Sequence, residues 1–158
     1  MNLLLEVFNF IGQNGPYILL IILTIMILNY KSVTLYGIIF IMCAINSQIN
    51  YVLKGFFKEP RPNVNQFKAP KLSNHSYGMP SGHSQSSSFF ASMIVKLFKS
   101  GIPYLNLIKF GSVLLVIITG LQRIFYKFHT IKQVLAGWSI GTFNAWLGLN
   151  LLSKYMIV

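Results

Sequence analysis

Long apolar runs separated by short polar breaks make up most of this chain. Residues 2 to 13 set Asn2, Glu6, Asn9 and Gln13 at helical spacing among leucines, Val7, Phe8, Phe10 and Ile11. That is the pattern of an amphipathic helix lying in a membrane interface. Gly15-Pro16 interrupts it, and Pro16 suits the first position of a second helix reaching about residue 30. Four further apolar runs follow at roughly 33 to 53, 82 to 98, 103 to 122 and 131 to 152. Each approaches the ~20 residues that a membrane helix needs. The pattern predicts an all-α protein, a polytopic membrane helix bundle of about five transmembrane helices plus an N-terminal interfacial amphipathic helix. One domain spans 1–158. The connections near Lys31 and Gly101-Ile102-Pro103 are expected to be tight, whereas residues 55 to 80 form a long polar loop holding four of the six prolines.

Composition strengthens the membrane assignment. In 158 residues, 54% are hydrophobic and only 9% charged, a balance that does not suit a soluble domain. The start of the chain has no cationic stretch ahead of its apolar run and no small-residue cleavage site after it, so the N-terminus is expected to be retained. The single cysteine, Cys43, excludes an intramolecular disulfide and a cysteine-rich metal site. Thirteen Lys plus Arg against two acids give a net charge of +11, but the cations are scattered between apolar runs and form no basic stripe. Anionic lipid headgroups, not nucleic acid, are the expected partners. The two acids, Glu6 and Glu59, stand apart from each other, and sites for Mg²⁺ or Ca²⁺ draw on clustered carboxylates. Any phosphoryl chemistry is therefore expected to run on histidine, with no metal and no cofactor.

Helix alternation then gathers three polar segments on one membrane face. Among the five predicted transmembrane helices, the second ends at Lys54, the third begins after Pro80 on that same face, and the fourth returns to it near Arg123, just before His129. In LKGFFKEPRP, Lys54 offers a point charge and Arg61 a fork able to hold two phosphate oxygens. A snorkelling lysine and a loop arginine are the plainer account of the same two residues. In YGMPSGHSQ, the helix start at Ser81-Gly82-His83 offers free N–H groups and a helix dipole to an anion. Ser81 as a simple N-cap is the plainer account there. In QRIFYKFHT, His129 follows Arg123 by six positions; a histidine beside phosphate can attack through its unprotonated nitrogen while another protonates the leaving oxygen. The third histidine, His75, lies in the adjoining loop and is expected to have no role.

Together, Lys54 with Arg61-Pro62, Pro80-Ser81-Gly82-His83, and Arg123 with His129 resemble the three signature motifs of the type 2 phosphatidic acid phosphatase superfamily. The resemblance runs from about residue 50 to 140. It implies a metal-independent lipid phosphatase with a phosphohistidine intermediate. By motif position, His129 resembles the nucleophile and His83 the general acid, while Lys54, Arg61, Ser81, Gly82 and Arg123 resemble the phosphate-binding set.

Two positions depart from the broad family, which usually has Ser before the third-motif Arg and Asp four residues after its His, where this chain has Gln122 and Gln133. Gln133 has two roles open to it. Its carbonyl can orient the His129 imidazole without supplying charge, and with Thr130 it makes a capping box at the start of the fifth helix. The stretches LKGFFKEPRP, YGMPSGHSQ and FHTIKQV most resemble the dolichyl diphosphate phosphatase branch, which also carries Gln at that last position. That likeness implies a long-chain polyprenyl diphosphate, cleaved to the monophosphate and phosphate. A broader lipid monophosphate phosphatase and a catalytically silent lipid-phosphate-binding relative are the rivals. Asn46 and Asn50, at four-residue steps ahead of Lys54, are expected to bond between helices. With the three site cations set aside, the remaining Lys residues divide evenly between the two faces, so the positive-inside rule assigns no orientation. The resemblance implies the endoplasmic reticulum membrane in a eukaryotic or viral setting and the inner membrane in a bacterial one.

Overall fold

The four apolar runs after residue 30 each become one helix in the computed structural model, which describes residues 2–28, 33–63, 76–98 and 104–155. Among these the elements are α1 (Leu3–Leu28), α2 (Val33–Phe57), α3 (Gly82–Leu97), α4 (Leu105–Phe125) and α5 (Ile131–Tyr155). The connections around Lys31 and Gly101 to Pro103, and His75, lie outside the described residues.

The predicted interfacial helix does not exist as a separate element. α1 runs unbroken for 26 residues through Pro16, about 39 Å at the α-helical rise. A proline inside a helix removes one hydrogen bond and costs about 3 kcal/mol, so packing must hold the helix together. Gly12, Gly15 and Pro16 are buried, and a Cβ on Gly12 would strike the Gln122 side chain and one on Gly15 the Thr119 hydroxyl. The glycines that read as a break in sequence are the surface on which α1 seats against α4. Of the polar residues on the predicted interfacial face, Asn9 serves that seat, its Oδ1 accepting from Gln122 Nε2 at 2.8 Å, whereas Asn2, Glu6 and Gln13 are exposed.

α3 is the central helix, packed against all four others and most extensively against α5. It is also the shortest, with 16 residues and five serines, about 24 Å long. Close approach explains the serines. A Cβ on Gly137 would lie 2.6 Å from the Ser81 carbonyl oxygen, and one on Gly141 would strike the Gln85 carbonyl and the Ser88 hydroxyl. Small residues one turn apart let two backbones meet in this way inside a membrane. The serine hydroxyls donate back to their own helix, Ser87 to the Ser84 carbonyl and Ser88 to that of Gln85, both at 3.1 Å. Below them Leu19, Leu23, Phe89, Met93, Ile94 and Phe98 form a core sealed from the surroundings.

The outer faces are apolar instead of polar. On α4, Phe110, Leu114, Ile117 and Leu121 are exposed at helical spacing, and on α2 Phe40, Ile41, Ile45 and Val52 are exposed. Such stripes belong in hydrocarbon. By length and composition, α1, α2 from Thr34 and α4 qualify as membrane spans. Polar side chains turn inward from α2 (Asn46, Lys54), α3 (Ser84, Gln85, Ser87, Ser88), α4 (Ser112, Thr119, Gln122, Arg123) and α5 (Gln133). The protein is an integral membrane helix bundle.

Candidate active site

Four separate chain segments meet where α2 ends, α3 begins and α4 turns into α5. Lys54, in the last turn of α2, is buried and donates from Nζ to the Tyr77 carbonyl at 2.7 Å. Arg61 follows in the extended segment after α2, its Nε 3.3 Å from the Ser76 carbonyl. Burial lowers the Arg61 guanidinium to about 10, which still leaves it charged at neutral pH. Ser81 caps α3: its hydroxyl accepts from the Ser84 N–H at 3.5 Å and from the Ser84 hydroxyl at 3.0 Å, and its own N–H donates to the Gln133 carbonyl at 3.0 Å. The plain N-cap expected of Ser81 is therefore present, and it also ties the start of α3 to α5. Gly82 and His83 form the first turn of α3, where amides lack intrahelical partners, and His83 feels the charges of Arg123, Arg61 and Lys54.

The α4–α5 turn is built around the backbone of Arg123. Its carbonyl accepts from the N–H groups of both Phe128 and His129, at 3.0 and 3.1 Å. Lys127 turns the chain with φ of 56°, a left-handed conformation that costs a residue with a side chain about 1 kcal/mol. This short reversal carries His129 back beneath the Arg123 side chain's own segment. Arg123 is itself buried, with Cζ 5.1 Å from the Phe128 ring centroid. Its Nε and Nη2 have no hydrogen-bond partner among the described residues. Buried donors are nearly always paired, so an unsatisfied cationic fork is a site shaped for an anion.

His129 is the point on which the cluster converges. Arg61 Nη1 lies 3.0 Å from its Nε2, and Gln133 Oε1 lies 3.1 Å from its Nδ1. The proton positions follow from the neighbours. Gln133 Nε2 faces two acceptors, Glu59 Oε1 at 3.0 Å and the Pro60 carbonyl at 2.9 Å, so it is the donating end of that amide. Oε1 then faces His129, and Nδ1 must carry the proton. Nε2 is left with a lone pair, accepting from Arg61. Burial first, then the positive charges of Arg61 and Lys54, drive the His129 imidazole down to about 2, while the Gln133 bond pulls weakly upward. The imidazole is therefore neutral at neutral pH.

Both roles open to Gln133 are filled at once. Its N–H donates to Thr130 Oγ1 and its Oε1 accepts from the Thr130 N–H, each at 3.2 Å, completing the capping box while holding His129. Every candidate site residue named from the sequence is thus in this cluster or at its edge. Glu59 was missed. Its signal was its rarity, one of two acids in the chain, directly before Pro60-Arg61. Asn46 and Asn50 bond between helices, as expected: Gln85 Nε2 donates to Asn46 Oδ1 at 3.0 Å, and Asn50 Nδ2 donates to Gln85 Oε1 at 2.8 Å.

A helical membrane bundle that buries a histidine among cations at one face defines a class of anion-binding membrane protein, and comparison with known proteins gives the family. The model described as the PAP2 superfamily matches residues 32–157, and the chain belongs to that superfamily. Dolichyldiphosphatase 1 of Dictyostelium discoideum is 38% identical over 117 residues, covering 66% of this chain and 44% of that protein. Phosphatidylglycerophosphatase B of Bacillus subtilis (strain 168) is 26% identical over 97 residues, covering 59% of this chain and 46% of that protein. The matches thus span somewhat under half the length of these curated relatives. Among solved structures, the transmembrane PAP2 type phosphatidylglycerolphosphate phosphatase from Bacillus subtilis superposes with a TM-score of 0.70 at 23% identity, over 98% of this chain and 79% of that one. That likeness establishes the fold.

Proposed function

We propose that this protein is a metal-independent membrane phosphatase that hydrolyses a polyprenyl diphosphate to the monophosphate and inorganic phosphate through a phosphohistidine. The observation that carries the proposal is the fixed tautomer of His129, with Nδ1–H on Gln133 and the Nε2 lone pair turned into a cluster of cations. In the first step Nε2 bonds to the terminal phosphorus as the bond to the bridging oxygen breaks, and His83 protonates that oxygen. Lys54, Arg61, the Arg123 fork and the amides around Ser81 and Gly82 hold the negative oxygens through the transition state. In the second step water attacks phosphorus, gives its proton to His83, and the P–N bond breaks to restore Nε2.

The polyprenyl diphosphate is favoured by the greater identity to the Dictyostelium discoideum dolichyldiphosphatase. A lipid phosphomonoester is the second substrate class, favoured by likeness to a phosphatidylglycerophosphatase. Metal independence is favoured by the supply of carboxylates: Glu6 and Glu59 are the only two acids, and Glu59 is engaged with Gln133 and Lys132. In a eukaryotic or viral host we place the enzyme in the endoplasmic reticulum membrane, in a bacterial host in the inner membrane.

The test is phosphate release by purified protein in a chelator from polyprenyl diphosphate, polyprenyl phosphate and phosphatidate, with His129→Ala alongside. Release that resists chelator, is fastest on the diphosphate and vanishes in the variant is expected. Equal activity in His129→Ala would overturn the nucleophile. A folded protein inert on all three substrates would mark a silent lipid-phosphate-binding relative.

A further inference from the structure

Three consecutive residues, Glu59, Pro60 and Arg61, hold both sides of one imidazole. Arg61 Nη1 reaches His129 Nε2 directly. Glu59 Oε1 and the Pro60 carbonyl together take both donors of Gln133 Nε2, whose other end holds His129 Nδ1. The segment is itself fixed in place, because the Gly78 N–H donates to the Glu59 carbonyl at 2.7 Å. A Cβ on Gly78 would lie 2.5 Å from Gln133 Oε1, so this backbone packs directly on the amide.

We propose that Glu59 is a positioning residue for the reaction. Acting through the Gln133 amide, its carboxylate locks His129 in the Nδ1–H tautomer and supplies the negative charge that offsets the positive imidazole formed when Nε2 bonds to phosphorus. This rests on His129 being the nucleophile. A directly bonded carboxylate would do the same work in a Ser-His-Asp arrangement; here the carboxylate is one amide removed. A hydrogen-bonded amide between two charged or polar groups is polarised by both, which carries part of the carboxylate's field to the ring. The plain alternative is a surface ion pair between Glu59 and Lys132. That pair uses the other oxygen, Oε2, at 3.3 Å, with the Lys132 side chain 74% exposed. Exposed pairs of that kind contribute little, and the pair leaves Oε1 free to act on Gln133.

Charge on Glu59 matters only once the ring becomes positive, so its loss falls on kcat, not KM. Glu59→Gln keeps the shape and removes the charge. With polyprenyl diphosphate, kcat is expected to fall at least about tenfold, with KM within about twofold and an unchanged melting temperature. The double variant Glu59→Gln/Gln133→Glu, which moves the carboxylate onto Nδ1, is expected to recover part of that loss. A second readout needs no turnover. In protein carrying ¹⁵N-labelled histidine, His129 is expected to be protonated at Nδ1, and Glu59→Ala to mix the two tautomers as the Gln133 amide gains freedom to turn over. Wild-type kcat in Glu59→Gln, or a single unchanged tautomer in Glu59→Ala, would overturn the proposal. An inert wild type would instead count against the phosphatase reading, with the tautomer measurement still deciding the role of Glu59.

Discussion

His129 Nδ1 stands 3.1 Å from Gln133 Oε1, one helical turn along the same chain. Because Glu59 and the Pro60 carbonyl occupy the other end of that amide, the bond has one direction, and it aims the free ring nitrogen at the cations. An amide fills the place where the broad family resemblance leads one to expect a carboxylate.

Replacing Gln133 by Ala removes both the orientation of His129 and half of the capping box. Turnover is expected to fall about 10²-fold or more, as when a histidine loses the partner that sets its tautomer. Loss of the cap should cost about 1 kcal/mol. Kinetics and thermal unfolding of the same preparation separate the two; a large stability loss with normal kcat would leave Gln133 with capping alone.

If His83 protonates the leaving oxygen, its removal matters most where that oxygen is basic. His83→Ala should lose far more activity on a lipid alkyl phosphomonoester than on p-nitrophenyl phosphate, whose leaving group needs little protonation. Equal losses on both substrates would assign His83 to binding.

Arg123 presents a buried fork, with Nε and Nη2 unpaired among the described residues. Lys at this position keeps the charge and loses the paired donors. Arg123→Lys is expected to reduce kcat/KM about 10²-fold, measured with any phosphate ester the wild type accepts. Activity within a fewfold of wild type would show that charge alone suffices.

Burial and the neighbouring cations lower His129 to about 2, whereas the unfolded chain takes up a proton near 6.5. Below 6.5 the unfolded state therefore binds more protons than the folded one, and stability falls as pH falls. The slope from this residue approaches about 1.4 kcal/mol per pH unit. Melting temperatures recorded from pH 7 to 5 should drop less steeply in His129→Asn than in wild type.

Two glycines separate packing from chemistry. A Cβ at Gly141 strikes the Gln85 backbone deep in the α3–α5 contact, so Gly141→Ala should destabilise by about 1–3 kcal/mol. The atoms nearest a Cβ at Gly78 all belong to the Gln133 amide. Gly78→Ala should lower kcat by turning that amide, with a smaller change in melting temperature.

The long apolar runs determined the helices and the all-α class by themselves, because membrane thickness and helix rise fix the length an apolar run must have. Helix alternation was enough to bring Lys54, Arg61, His83, Arg123 and His129 toward one face. The sequence alone misread Gly15-Pro16, because a glycine that breaks a helix in isolation also lets two helices touch, and only the presence of Thr119 and Gln122 on α4 selects between those outcomes. Nor did it find Glu59. Its partner Gln133 is 74 residues away, and hydrogen-bond direction depends on every group around the amide. The residues of the site were legible as types and spacings; the direction in which each proton points was decided by the tertiary structure.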